Sequence, residues 1–141
     1  MTRIDFHSHV SNQLDYACRL TRKALSAGCR LAVLHQDAGQ LAEFDRLLWS
    51  FSGPDFLPHV GVHDRLAMHT PVLLCLAGDN LDAINHSEIL LNLSLAVPGN
   101  FAQFERLIEI VPQESGATQA GRERYRHYQQ LGYPLNHINA K

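Results

Sequence analysis

Polar and apolar residues alternate over Arg3–His9, with Ile4, Phe6 and Ser8 on one side and Arg3, Asp5, His7 and His9 on the other. That is the pattern of a half-buried strand with a polar outer face. From Leu14 the period changes. Leu14, Ala17, Cys18, Thr21 and Leu25 recur at helical spacing, with Ser11 or Asn12 to cap the helix and Gly28 to end it in a left-handed turn. Leu31-Ala32-Val33-Leu34 then reads as a short buried strand. Strand, helix and strand within about 30 residues is the size of a right-handed βαβ unit, so the two strands should lie parallel under the helix.

Asp37 followed by Gln40 predicts a capping box and a helix from about Ala38, its apolar face made by Leu41, Phe44, Leu47 and Leu48. It should stop near Trp49-Ser50, before Gly53-Pro54. Phe56-Leu57-Pro58-His59 carries a proline and reads as an edge or a loop. Further strands are expected at Val72–Leu76, Ile89–Leu93 and Leu107–Val111, a helical turn at Phe101–Phe104, and a last helix from Ser115 to Leu131, closed by Gly132 and Pro134. The fold class that follows is α/β: one mixed, mostly parallel sheet with helices on both faces.

The chain has 141 residues, 45% hydrophobic and 18% charged, which predicts one soluble globular domain spanning residues 1–141. It is short of the roughly 250 residues of a closed eight-stranded barrel, the frame on which a His-x-His opening strand commonly serves hydrolysis. The longest apolar run, Val72–Ala77, is too short to cross a bilayer, and an N-terminus carrying Arg3, Asp5 and two histidines is unlike a signal peptide. A cytoplasmic location is the expectation. A net charge of −2 argues against a surface built for nucleic acid, so any contact with DNA should be local or indirect. The three cysteines, Cys18, Cys29 and Cys75, lack metal-type spacing and read as reduced thiols.

Candidate chemistry is sparse. Among nine histidines, His7 and His9 share a strand face with Asp5, and ligands at i and i+2 can approach one ion. The spacing is common, however, and no HExxH or acidic strand end accompanies it. The turn after the first strand, His9-Val10-Ser11-Asn12-Gln13, has no glycine to admit a phosphate, no GK[ST] follows, and no serine sits in G-x-S-x-G. No catalytic residue and no cofactor are therefore expected. Two clusters remain. Leu47–Phe51 with Asp55–His59 gathers the only tryptophan beside phenylalanines and prolines, either as core edge or as a docking surface. In the last helix Arg122, Tyr125 and Arg126 fall at i, i+3 and i+4, where two guanidinium groups beside a phenol ring suit an acidic peptide with a bulky end. Alternatively this is a solvated face with Arg–Glu pairing.

Leu-Leu-Trp at 47–49, Phe56-Leu57-Pro58-His59, Ile108–Val111 before Pro112, Arg-Glu-Arg-Tyr-Arg-x-Tyr at 122–128 and Gly132-Tyr133-Pro134-Leu135-Asn136 together resemble the chi-subunit family of bacterial DNA polymerase III holoenzyme. The resemblance runs in order over nearly the whole chain. It implies a Rossmann-like α/β fold without a phosphate-binding loop and a non-catalytic accessory role in the clamp-loader assembly during DNA replication. It also implies two partners, the psi subunit and the acidic C-terminal tail of single-stranded DNA-binding protein. By this resemblance Arg122, Tyr125 and Arg126 would hold the tail, with Val111 and Leu135 lining a pocket for its terminal ring. Trp49, Phe56 and Pro58 would face psi or a helicase partner. Thr118 stands where some relatives carry a lysine, a lost charge for which Arg124 could compensate although it points off the main face. Ile4 and Phe6 fit the family's opening strand, whereas His7 and His9 do not, and His63, His69 and His86 have no counterpart. The rival reading is a small metal-dependent hydrolase or nuclease using Asp5, His7 and His9.

Overall fold

The computed structural model describes residues 1–51, 57–79, 84 and 86–140. Its elements are β1 (Arg3–Val10), α1 (Gln13–Ser26), β2 (Leu31–His35), α2 (Ala38–Phe51), β3 (His59–Gly61), β4 (Val72–Leu76), β5 (Ile89–Asn92), β6 (Arg106–Pro112), α3 (Ser115–Gln130) and β7 (Leu135–Asn139). Single 3-10 turns lie at Ala67–His69 and Phe101–Gln103. The seven strands form one sheet in the order β3-β4-β2-β5-β6-β1-β7, and every neighbouring pair is parallel. The sheet is thus more uniform than the mixed one expected from the sequence. Parallel sheets need cover on both faces, and β2, β4 and β5 accordingly read as apolar runs, broken only at the end residues His35 and Asn92. No helix among the described residues is long and apolar enough to cross a membrane.

Local chemistry sets the helix ends. The Asn12 side chain accepts from the Asp15 amide and starts α1, and Gly28, at φ 79°, reverses the chain after it. Asp37 caps α2 through the Gln40 amide, but the capping box is only half formed, because the Asp37 amide donates instead to His35 Nδ1 at 3.0 Å. Gly132, at φ 85°, closes α3 and feeds β7.

Two apolar layers result. On one face α1 and α2 cover Leu31, Val33, Leu74, Leu91, Ile108 and Ile110. On the other, Tyr128 of α3 and Phe101 pack over Ile4, Phe6, Leu90 and Leu107. β1 differs from its expected form in two ways. It is flanked by β6 and β7, so Asp5 and His7 are buried rather than forming a polar outer face. Its register against β6 also shifts between His7 and Val10, where His9 adopts φ 60°.

Candidate functional site

α3 crosses β6 and β1 at close range because Gly121 has no side chain: a Cβ there would meet Val111 Cγ1 at 2.9 Å. Its rotation is set by a buried polar cluster. Glu109, in the middle of β6, is fully buried; one carboxylate oxygen accepts from Arg124 Nε at 3.1 Å and the other from the Tyr128 hydroxyl at 2.7 Å. Asn92 Nδ2 donates to both, and Arg124 Nη1 reaches the Leu95 carbonyl. Burial pushes the Glu109 carboxyl upward; Arg124 and the donors from Asn92 and Tyr128 pull against it without cancelling the rise. With Arg124 and Tyr128 turned inward one helical turn apart, Tyr125 lies on the flank and Arg122 and Arg126 turn further round toward solvent.

The two arginines are exposed, and the half-buried Tyr125 ring meets Phe6 edge-on with centroids 5.1 Å apart. Gln119, Arg122, Tyr125 and Arg126 border a shallow groove. Beside it a cavity of about 310 Å³ opens over Phe6, Val111 and Gly121, walled by Thr118, Arg122 and Tyr125 from the helix and by Ser8, His9 and His137 from the strands. Guanidinium groups at the rim and apolar atoms at the floor suit a short acidic segment with one bulky apolar end.

The structure therefore brings Arg122, Tyr125, Arg126 and Val111 together. Leu135 is not in the wall; it pairs with Ile4 on β7 and pads the core, and His137, one pleat further on, faces the cavity in its place. Arg124 cannot replace a charge at Thr118, because its guanidinium is buried on Glu109.

The second cluster lies across the molecule on α2. Trp49 is 55% exposed and its ring rests on His59 at 4.7 Å, while His59 Nε2 lies 2.7 Å from Asp45 Oδ1. Pro58 is half-buried beside them, and Phe56 falls outside the described residues.

Asp5, His7 and His9 do not converge. Asp5 pairs with Arg106 Nε at 2.8 Å, and His7 bonds the Tyr16 hydroxyl through Nδ1. The kink in β1 turns His9 to the opposite face, against Ser8. Burial, first, lowers the His7 pKa. Among the described residues no three histidine, cysteine or acidic side chains are placed to share a metal ion. Cys18 and Cys75 are buried, and burial pushes both thiols up to about 12.

Sequence reasoning missed two groups. Glu109 had a visible signal, a lone carboxylate inside the apolar run Leu107–Val111. Ser8 and His137 had none, since their meeting depends on β1 pairing with β7.

Comparison with known proteins supports the likeness in motifs. A family model described as "DNA polymerase III chi subunit, HolC" matches residues 1–136. The DNA polymerase III subunit chi of Pseudomonas aeruginosa is 37% identical over 139 residues, covering 96% of this chain and 94% of that protein. Its counterpart in Haemophilus influenzae is 24% identical, over 89% of this chain and 85% of its own length, and that of Escherichia coli 25%, over 84% and 80%. The match spans β1 to β7, and by it the chain belongs to the DNA polymerase III chi subunit family.

Proposed function

We propose that the chain is a non-catalytic accessory subunit of the replicative polymerase, working in its clamp-loader assembly as a bridge between two partners. The observation that carries this reading is the α3 flank, where Arg122 and Arg126 border a groove beside a cavity floored by Phe6 and Val111. An acidic tail with an apolar end, as on single-stranded DNA-binding protein, is matched on both counts: carboxylates meet planar guanidinium donors, and a terminal ring enters the cavity. The Trp49 surface, with Pro58, serves the second partner, the psi subunit or a helicase. An exposed indole on a helix is a common anchor for such contacts. Nucleic acid is reached only through these proteins, and the working compartment is the cytoplasm.

The test is titration of a fluorescent peptide ending in acidic residues and a C-terminal Pro-Phe. Binding should weaken as salt rises from 50 to 300 mM, because exposed ionic contacts are screened over about 10 Å at 0.1 M. Arg126→Glu should remove most of the affinity. Equal binding by that variant would show that the tail docks elsewhere.

A further inference from the structure

The cavity floor is apolar, but its strand-side wall is not. Ser8 Oγ lies 3.0 Å from His9 Nδ1 and 2.6 Å from His137 Nε2, so one hydroxyl ties together two imidazoles from β1 and β7. Regular alternation would have put His9 on the face of Asp5 and His7. The kink and the left-handed φ of 60° at His9 bring it to the cavity instead. A left-handed backbone at a non-glycine residue carries a local cost, and it is a frequent mark of functional positions.

A serine hydroxyl has one hydrogen to donate and two lone pairs to accept with. While either ring nitrogen facing it is bare, that hydrogen is engaged between the rings. With both rings protonated, both nitrogens donate to Oγ and the hydroxyl hydrogen is released toward the cavity. Two positive rings on one oxygen repel each other, so this state needs an anion nearby. The other cavity residues offer no competitor for that role: α3 contributes the Arg122 cation, the Tyr125 phenol and the neutral Thr118, and β6 only Val111. No carboxylate lines the cavity among the described residues.

We propose that Ser8, His9 and His137 form an anion-accepting wall which, together with Arg122, grips a carboxylate of the bound acidic tail, so that tail binding tightens as pH falls from 8 to 6. This rests on the cavity being the tail site. The direction follows from linkage: a bound carboxylate favours the protonated rings, so the added affinity is present at the low end of the range and is lost as pH rises. The tail itself changes little, since its carboxylates stay ionised from pH 6 to 8.

The experiment is titration of the same peptide, N-acetylated, at pH 6 and pH 8 and constant ionic strength. The proteins compared are the parent and a His9→Asn/His137→Gln variant, asparagine being tolerant of the left-handed backbone. The parent should bind about fivefold more tightly at pH 6. The variant should show little change in affinity between pH 6 and pH 8. A parent that binds equally at both pH values, or a variant that keeps the full pH response, overturns the histidine wall and leaves the tail site standing. A parent that fails to bind at either pH overturns both.

Discussion

Replacing Arg124 with methionine keeps much of the side-chain volume but leaves Glu109 fully buried without its cation. At an effective dielectric near 20, a pair 3.1 Å apart is worth about 5 kcal/mol, so the bare carboxylate will not stay charged. It escapes by taking a proton. At pH 7 that costs about 1.4 kcal/mol for each pH unit above an ordinary glutamate pKa near 4.3, or roughly 3.7 kcal/mol. This lies within the range of about 3–5 kcal/mol found when one partner of a buried pair is removed. At pH 5 the escape costs only about 1 kcal/mol. The carboxyl, already raised by burial in the parent, would be raised further in the variant, so the variant's stability should be highest below the unfolded value and fall as pH rises through the folded one.

Urea unfolding of parent and variant at both pH values measures this. With a slope of about 2 kcal/mol per molar, the midpoint at pH 7 should drop by about 1.5–2 M, and by less than 1 M at pH 5. A triple variant, Glu109→Leu, Arg124→Met and Tyr128→Phe, removes the charges and the orphaned hydroxyl together and should recover most of the loss. A penalty below about 1 kcal/mol at pH 7, or one that does not shrink toward pH 5, would refute the view that this ion pair fixes α3 on the sheet.

His7, His35 and His86 have pKa values lowered chiefly by burial, so each contributes stability that is present above about pH 6.5 and lost as pH falls. Thermal melts of the parent should move to lower temperature between pH 7.5 and pH 5, and a flat profile would contradict the burial assigned to them. Gly121→Ala drives a methyl to within 2.9 Å of Val111 Cγ1; overpacking of about 1–3 kcal/mol, less about 1 kcal/mol of helix propensity, should leave a small net loss. It should also weaken the tail peptide, since both residues line the cavity, and unchanged peptide affinity would argue against seating at that floor. Trp49→Ala should change unfolding free energy by less than about 1 kcal/mol, because the indole is more than half exposed, while abolishing co-elution with psi on gel filtration. Retained co-elution would move the second partner to another face.

Strands β2, β4 and β5 were legible because buried parallel strands are apolar throughout, and α1 because its cap and closing glycine are local signals. β7 was not. Asn136, His137 and Asn139 are exposed and give no alternation, and the strand exists because the β1 backbone pairs with it. Asp5 and His7 misled in the other direction: their spacing reads as an exposed polar face, yet Tyr16 of the following helix and Arg106 from far along the chain lie there. The spacing on α3 did foretell that Arg122, Tyr125 and Arg126 border one groove, since helical periodicity survives in any context. Arg124 shows the limit of that rule, because a guanidinium on the inner face is indistinguishable in sequence from one in water until Glu109 is found beneath it.

The place of β1 between β6 and β7 bears on how the molecule comes into being. β1 has no partner strand until Arg106–Pro112 and then Leu135–Asn139 have been made, about a hundred residues later. At roughly 5–20 residues per second, Ile4 and Phe6 therefore wait several seconds with apolar surface uncovered. The cavity wall waits longer still, for Ser8 and His9 lie on β1 and His137 arrives only with β7. A nascent chain halted before β7 thus lacks this wall, and the peptide capture proposed for it would begin only once β7 has docked.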